Sequence, residues 1–114
     1  MIELAVPVPA GAELAHIEQT IENTCAGAGL RRALKNTLAS YPGSVHWHYG
    51  RAPARGTLEL TWWPAQRRLW FKVSAGRAQP WLTRLLPHLQ QSLATALAMP
   101  ATQAAPAAAT QPVP

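Results

Sequence analysis

An α+β domain, with a four-stranded antiparallel meander sheet and two helices packed on one of its faces, is the architecture this sequence points to. The expected order is an optional strand, a helix, four strands and a helix. Three observations lead there. Between residues 44 and 74 apolar and polar residues alternate in three successive runs separated by turn-forming residues. On either side of that block lies a stretch whose apolar residues recur every three or four positions. The chain has 114 residues, 48% of them hydrophobic and 13% charged, enough for one core and not for two.

Each element has its own warrant. Ile2, Leu4, Val6 and Val8 alternate with Glu3, Ala5, Pro7 and Pro9. Pro7 and Pro9 cannot donate to a ladder, so this segment is expected as an edge strand or a plain extended arm. Leu14, Ile17, Ile21 and Cys25 share one helical face, with Glu13, Glu18 and Glu22 off that stripe. Gly27 or Gly29 can take the left-handed position that ends such a helix. Residues 30–39 fit a helix through Leu30, Leu34 and Leu38, or a strand through Leu34, Asn36 and Leu38. The preceding Gly-Ala-Gly and the turn Tyr41-Pro42-Gly43-Ser44 favour the strand.

Residues 44–49, 57–63 and 68–74 are the three alternating strands, rich in aromatic and β-branched residues. Pro64-Ala65-Gln66-Arg67 is a short connection between the last two. A second helix is expected from about Gln79 to Met99, with Leu82, Leu85, Leu86, Leu89, Leu93 and Leu97 as its stripe. Pro80 suits the first turn, where a missing N–H costs nothing. Pro87 removes an interior hydrogen bond and predicts a kink or a break. Residues 1–98 are thus expected as one domain and 99–114 as a disordered Ala/Pro-rich tail.

Several classes of function are disfavoured. No apolar run approaches the ~20 residues that span a bilayer, and no basic region followed by an apolar stretch opens the chain. A cytoplasmic protein with no membrane partner is the expectation. The lone Cys25 forms no intrachain disulfide and no multi-cysteine zinc site, and is expected as a buried, inert thiol. The phosphate-cradling Gly-rich loops and nucleophile triads leave no trace, and residues 23–98 hold a single carboxylate. No cofactor is expected, and catalysis is disfavoured without being excluded.

Charge and pleat together point to a working surface. Residues 1–22 hold four glutamates and no Lys or Arg, a charge of −4; residues 23–98 hold all ten basic residues and Glu59, a charge of +9. Such a field attracts polyanions. With Val45, Trp47, Tyr49, Leu58, Leu60, Trp62, Leu69, Phe71 and Val73 turned to the helices, the opposite face carries Lys35, Thr37, His46, His48, Thr57, Glu59, Thr61, Trp63, Arg68, Trp70 and Lys72. Arg51 and Arg55 stand in the adjoining loop and Arg67 in the hairpin. Stacking rings flanked by cations are the recipe for single-stranded nucleic acid, each stacked base contributing ~1–3 kcal/mol. The expected function is therefore a non-catalytic module contacting single-stranded or structured nucleic acid. Trp63 and Trp70 would stack bases, and Arg51, Arg55, Arg67, Arg68 and Lys72 would meet phosphates, beside His46 and His48.

Two competitors remain. One is homo-oligomerisation, including a homodimer, or another protein-interaction role. A four-strand face covers about 17 by 19 Å, so two would bury roughly 600 Å² against the ~1,200 Å² of a stable interface. The other is a metal-dependent enzyme in which His46, His48 and Glu59 share an ion. Without an evident fourth ligand, two polar histidines on a wet face, with Glu59 offsetting Lys72 or Arg68, is the favoured reading, and no metal is expected.

The helix–strands–helix order resembles that of the double-stranded RNA-binding domain. That family has three strands and a lysine-rich start to its second helix. Here Gln79-Pro80-Trp81-Leu82-Thr83-Arg84 supplies a single cation, so no residue role is carried over.

Overall fold

The computed structural model describes residues 1–99; the segment expected to be disordered lies, Met99 apart, outside the described residues. The chain runs β1 (Ile2–Val6), α1 (Leu14–Gly27), β2 (Arg31–Asn36), β3 (Val45–Arg51), β4 (Ala54–Trp63), β5 (Arg68–Val73) and α2 (Pro80–Ala98). One turn of 3-10 helix follows β4 and another follows β5. All neighbouring strands are antiparallel, in the order β1-β5-β4-β3-β2.

The sheet therefore has five strands, not the four expected. Ile2–Val6 pairs with β5, from Ile2 opposite Val73 to Val6 opposite Leu69. Pro7 and Pro9 made this segment look optional, but they fall just beyond the last pair. They end the strand and leave its ladder intact. β1 and β2 run in the same direction at opposite edges, so their connection has to cross the sheet, and α1 makes that crossing.

Residues 31–36 are a strand, as the Gly-Ala-Gly signal suggested. Helix α1 stops at that signal: Leu30 N–H donates to the Cys25 carbonyl and Gly29 N–H to that of Ala26. Gly29 sits at φ 79°, the left-handed conformation that glycine adopts without a Cβ penalty. Leu30 and Cys25 are both buried, which completes the apolar contact of this cap.

The core forms on one side of the sheet. Trp47, Tyr49, Leu58, Leu60, Trp62, Leu69, Phe71 and Val73 meet Ile17, Ile21 and Cys25 of α1 and Leu82, Leu86, Leu89, Leu93 and Leu97 of α2. Helix α2 passes through Pro87 without a break. Pro87 is exposed, and buried leucines both before and after it fix the two halves on the sheet. Burial at about 1.5–3 kcal/mol per leucine outweighs one missing hydrogen bond.

Lys35 and Thr37 are not on the face away from the helices, as alternation alone suggested. The register shifts between Arg32 and Leu34. Arg32 and Lys35 thus both face α1, while Leu34 and Asn36 stand opposite His48 and His46 on the other side. The Lys35 ammonium meets Glu18 at 2.7 Å and Glu22 at 2.6 Å. Thr37 lies beyond the strand's end.

Candidate functional site on the outer sheet face

The alternation expected of the three central strands holds. Residues turned from the helices form an outer face whose rows are set by pairing: His46 opposite Thr61, His48 opposite Glu59, Glu59 opposite Lys72, Thr61 opposite Trp70 and Trp63 opposite Arg68. Strand β1 extends it with Glu3 opposite Lys72 and Ala5 opposite Trp70.

Trp63 and Trp70 are partly covered. The Tyr41 ring, from the loop between β2 and β3, packs edge-on against both, at 4.9 and 5.2 Å between centroids. Trp63 Nε1–H donates to the Pro42 carbonyl at 3.1 Å, so this indole fastens the loop to the face. The Arg68 guanidinium lies 4.8 Å from the Trp70 ring centroid. Tyr41 was legible in the sequence only as a turn residue; no periodicity marks a side chain folded back from a loop.

In the middle of the face His46, His48 and Glu59 converge. His46 Nε2 is 3.1 Å from His48 Nε2 and 3.5 Å from Glu59 Oε1, and His48 Nε2 is 3.9 Å from the same oxygen. Adjacent residues hold two of the three in place. His46 Nδ1 is 2.9 Å from Thr61 Oγ1, and Ser74 Oγ–H donates to Glu59 Oε2 at 3.3 Å. His46 is only 5% exposed although it faces away from the helices. Burial first, then the His48 and Lys72 charges, hold its imidazole below the ordinary value, against the opposing pull of Glu59. The neutral form, which can accept or ligate through one nitrogen, is thereby favoured. Thr61 and Ser74 carried no signal of this supporting role in the sequence.

Arg51 and Arg55 are not in the loop that the sequence suggested: Arg51 ends β3 and Arg55 lies at the start of β4, with only Ala52 and Pro53 between the strands. With Arg67 they divide in role. Arg51 donates to the Ala28 carbonyl at 2.7 Å and lies 4.9 Å from the Trp81 ring centroid. Arg67 donates to the carbonyls of Pro9 and Ala12, at 2.7 and 3.0 Å, and itself ends the 3-10 turn in a left-handed conformation, φ 47°. Both are structural clamps. The Arg55 carbonyl accepts from Trp81 Nε1–H at 2.6 Å, while Arg55 itself is exposed. Of the cations assigned to the surface, Arg68 and Lys72 lie on the outer face with no ion pair among the described residues, although Glu3 and Glu59 stand opposite Lys72, and Arg55 stands at its margin.

The charge split along the chain is partly cancelled in space. Glu22 accepts from Trp47 Nε1–H at 3.0 Å and pairs with Arg32 as well as Lys35. Partial burial acts to raise its pKa, but hydrogen bonds from Lys35 and Trp47 and the charges of Lys35 and Arg32 outweigh it and hold the carboxyl below its usual value. Cys25 is buried, and burial pushes its thiol up to about 12, an unreactive state.

No family model, no curated protein and no solved structure matches the chain. No helix among the described residues is long and apolar enough to cross a membrane.

Proposed function

We propose that the protein is a non-catalytic binding module whose outer sheet face docks a single-stranded nucleic acid. The observation that carries this reading is the arrangement of Trp70, Arg68 and Lys72 on one strand. A ring backed by a guanidinium stands beside an ammonium, and among the described residues neither cation is in an ion pair. Rings of this kind stack bases of any sequence, and neighbouring cations meet the phosphates. Tyr41 extends the aromatic row, Arg55 and His48 border it, and Trp63 serves by holding the Tyr41 loop. Arg51 and Arg67 act indirectly, by shaping the loops, because backbone carbonyls occupy their guanidinium groups.

A fluorescence titration with short single-stranded oligonucleotides at two salt concentrations tests the proposal. Quenching of tryptophan emission and affinity that falls steeply with salt are expected. Arg68→Gln with Lys72→Gln should weaken binding of all sequences alike and flatten the slope of log affinity against log salt by about 1.4, two phosphate contacts on a single strand. No quenching, or affinity indifferent to salt, would refute it.

A further inference from the structure

The geometry points to a divalent-metal site formed by His46 Nε2, His48 Nε2 and the Glu59 carboxylate at the centre of the outer face. Their donor atoms form a triangle with sides of 3.1, 3.5 and 3.9 Å. A point equidistant from its corners lies about 2 Å from each, the ~2.0–2.2 Å length of zinc bonds to imidazole nitrogen and carboxylate oxygen. The spacing of the three donor atoms thus fits one ion, and among the described residues these are the ones whose ligand atoms cluster within 4.8 Å of one another.

The surroundings match what such sites require. A ligating imidazole is oriented by a partner on its other nitrogen, and a ligating carboxylate by a hydrogen bond to its second oxygen. Thr61 supplies the first on His46 and Ser74 the second on Glu59. β3 places two histidines two residues apart on one side of the pleat, and the register sets Glu59 directly opposite His48. Two nitrogens and one oxygen suit zinc and its first-row neighbours better than calcium or magnesium. Three protein ligands leave a coordination position for water or an external ligand, and the partial exposure of His48 puts that position within reach of solvent. Lys72, opposite Glu59, would favour an anion there.

A network of hydrogen bonds among the same groups, with no ion, is the alternative, and the two differ in a measurable way. Full-length protein stripped with chelator is titrated with Zn²⁺, and separately with Co²⁺, in the absence of nucleic acid. One zinc per chain is expected, with a rise in melting temperature and cobalt absorption lacking a thiolate charge-transfer band. His48→Gln and Glu59→Gln, both at partly exposed positions, should each weaken uptake by about tenfold or more while circular dichroism shows a folded chain. Thr61→Val, a positioning change, should weaken it by about tenfold. His16→Gln and His88→Gln should leave it unchanged. Substoichiometric zinc, or uptake indifferent to the His48 and Glu59 replacements, overturns the site. Because no oligonucleotide is present, failure of nucleic-acid binding and failure of metal binding are separate results.

Discussion

Glu22 is one carboxylate with three side-chain partners. It ties α1 to β2 through Lys35 and Arg32, and to β3 through the buried Trp47. Glu22→Ala leaves that indole N–H without its partner and should cost about 1–3 kcal/mol in urea denaturation. The pH dependence has a definite sign. An unfolded chain protonates this carboxyl near 4.5, whereas the folded one resists to lower pH. Its contribution is complete above pH 4.5 and disappears as pH falls through the lowered folded value. Lys35 behaves inversely: hydrogen bonds to Glu18, then Glu22, raise its pKa above 10.5. That contribution is present below pH 10.5 and is lost as pH rises past the folded value. In the Glu22→Ala protein both limbs of the stability–pH curve should flatten. Lys72 separates the two binding proposals. Lys72→Met should tighten zinc a few-fold by removing a cation beside Glu59, and should loosen oligonucleotides; parallel titrations check both.

The elements were legible in the sequence to different depths. Alternation revealed β3, β4 and β5 because the middle of one face of each is buried, and a single-residue slip would expose Trp47, Leu60 or Phe71. The stop after α1 was legible because Gly29 is needed for its backbone. The membership of β1 was not, since its pairing with β5 is a contact across more than sixty residues that no local pattern encodes. The orientation of Lys35 was hidden by the bulge in β2. His46, His48 and Glu59 could be placed on one face from parity, but their convergence within bonding distance depends on register. Helix α2 offers a direct test of propensity against packing. Pro87→Ala restores an N–H on an exposed turn and should raise stability, by up to about 3 kcal/mol, in thermal or urea denaturation. The outer edge, β2, is exposed at all six positions and carries Arg31, Arg32 and Lys35. Cations on an edge oppose strand-to-strand association, which disfavours edge pairing as the route to a homodimer.

The molecule as a whole is one layer of helices on one sheet, with apolar residues from both ends of the described chain in the same core. Ile2, Leu4 and Val6 cover β5, and α2 closes over strands formed earlier in the chain. Deleting residues 1–6 should therefore uncover Leu69, Phe71 and Val73 at a raw edge and abolish the cooperative thermal transition. In the intact protein, far-ultraviolet circular dichroism and tryptophan emission should report one coincident unfolding transition. Separate midpoints would show that the sheet and its helices melt independently.

A connection selected for backbone comfort alone would put glycine or asparagine at position 67. The chain keeps arginine there in a left-handed conformation, which costs it roughly 1–2 kcal/mol. In exchange, one long side chain reaches the carbonyls of Pro9 and Ala12, more than fifty residues away in sequence. A redesign guided only by local turn statistics would relax this corner and at the same moment untie the crossover that delivers α1 to the sheet.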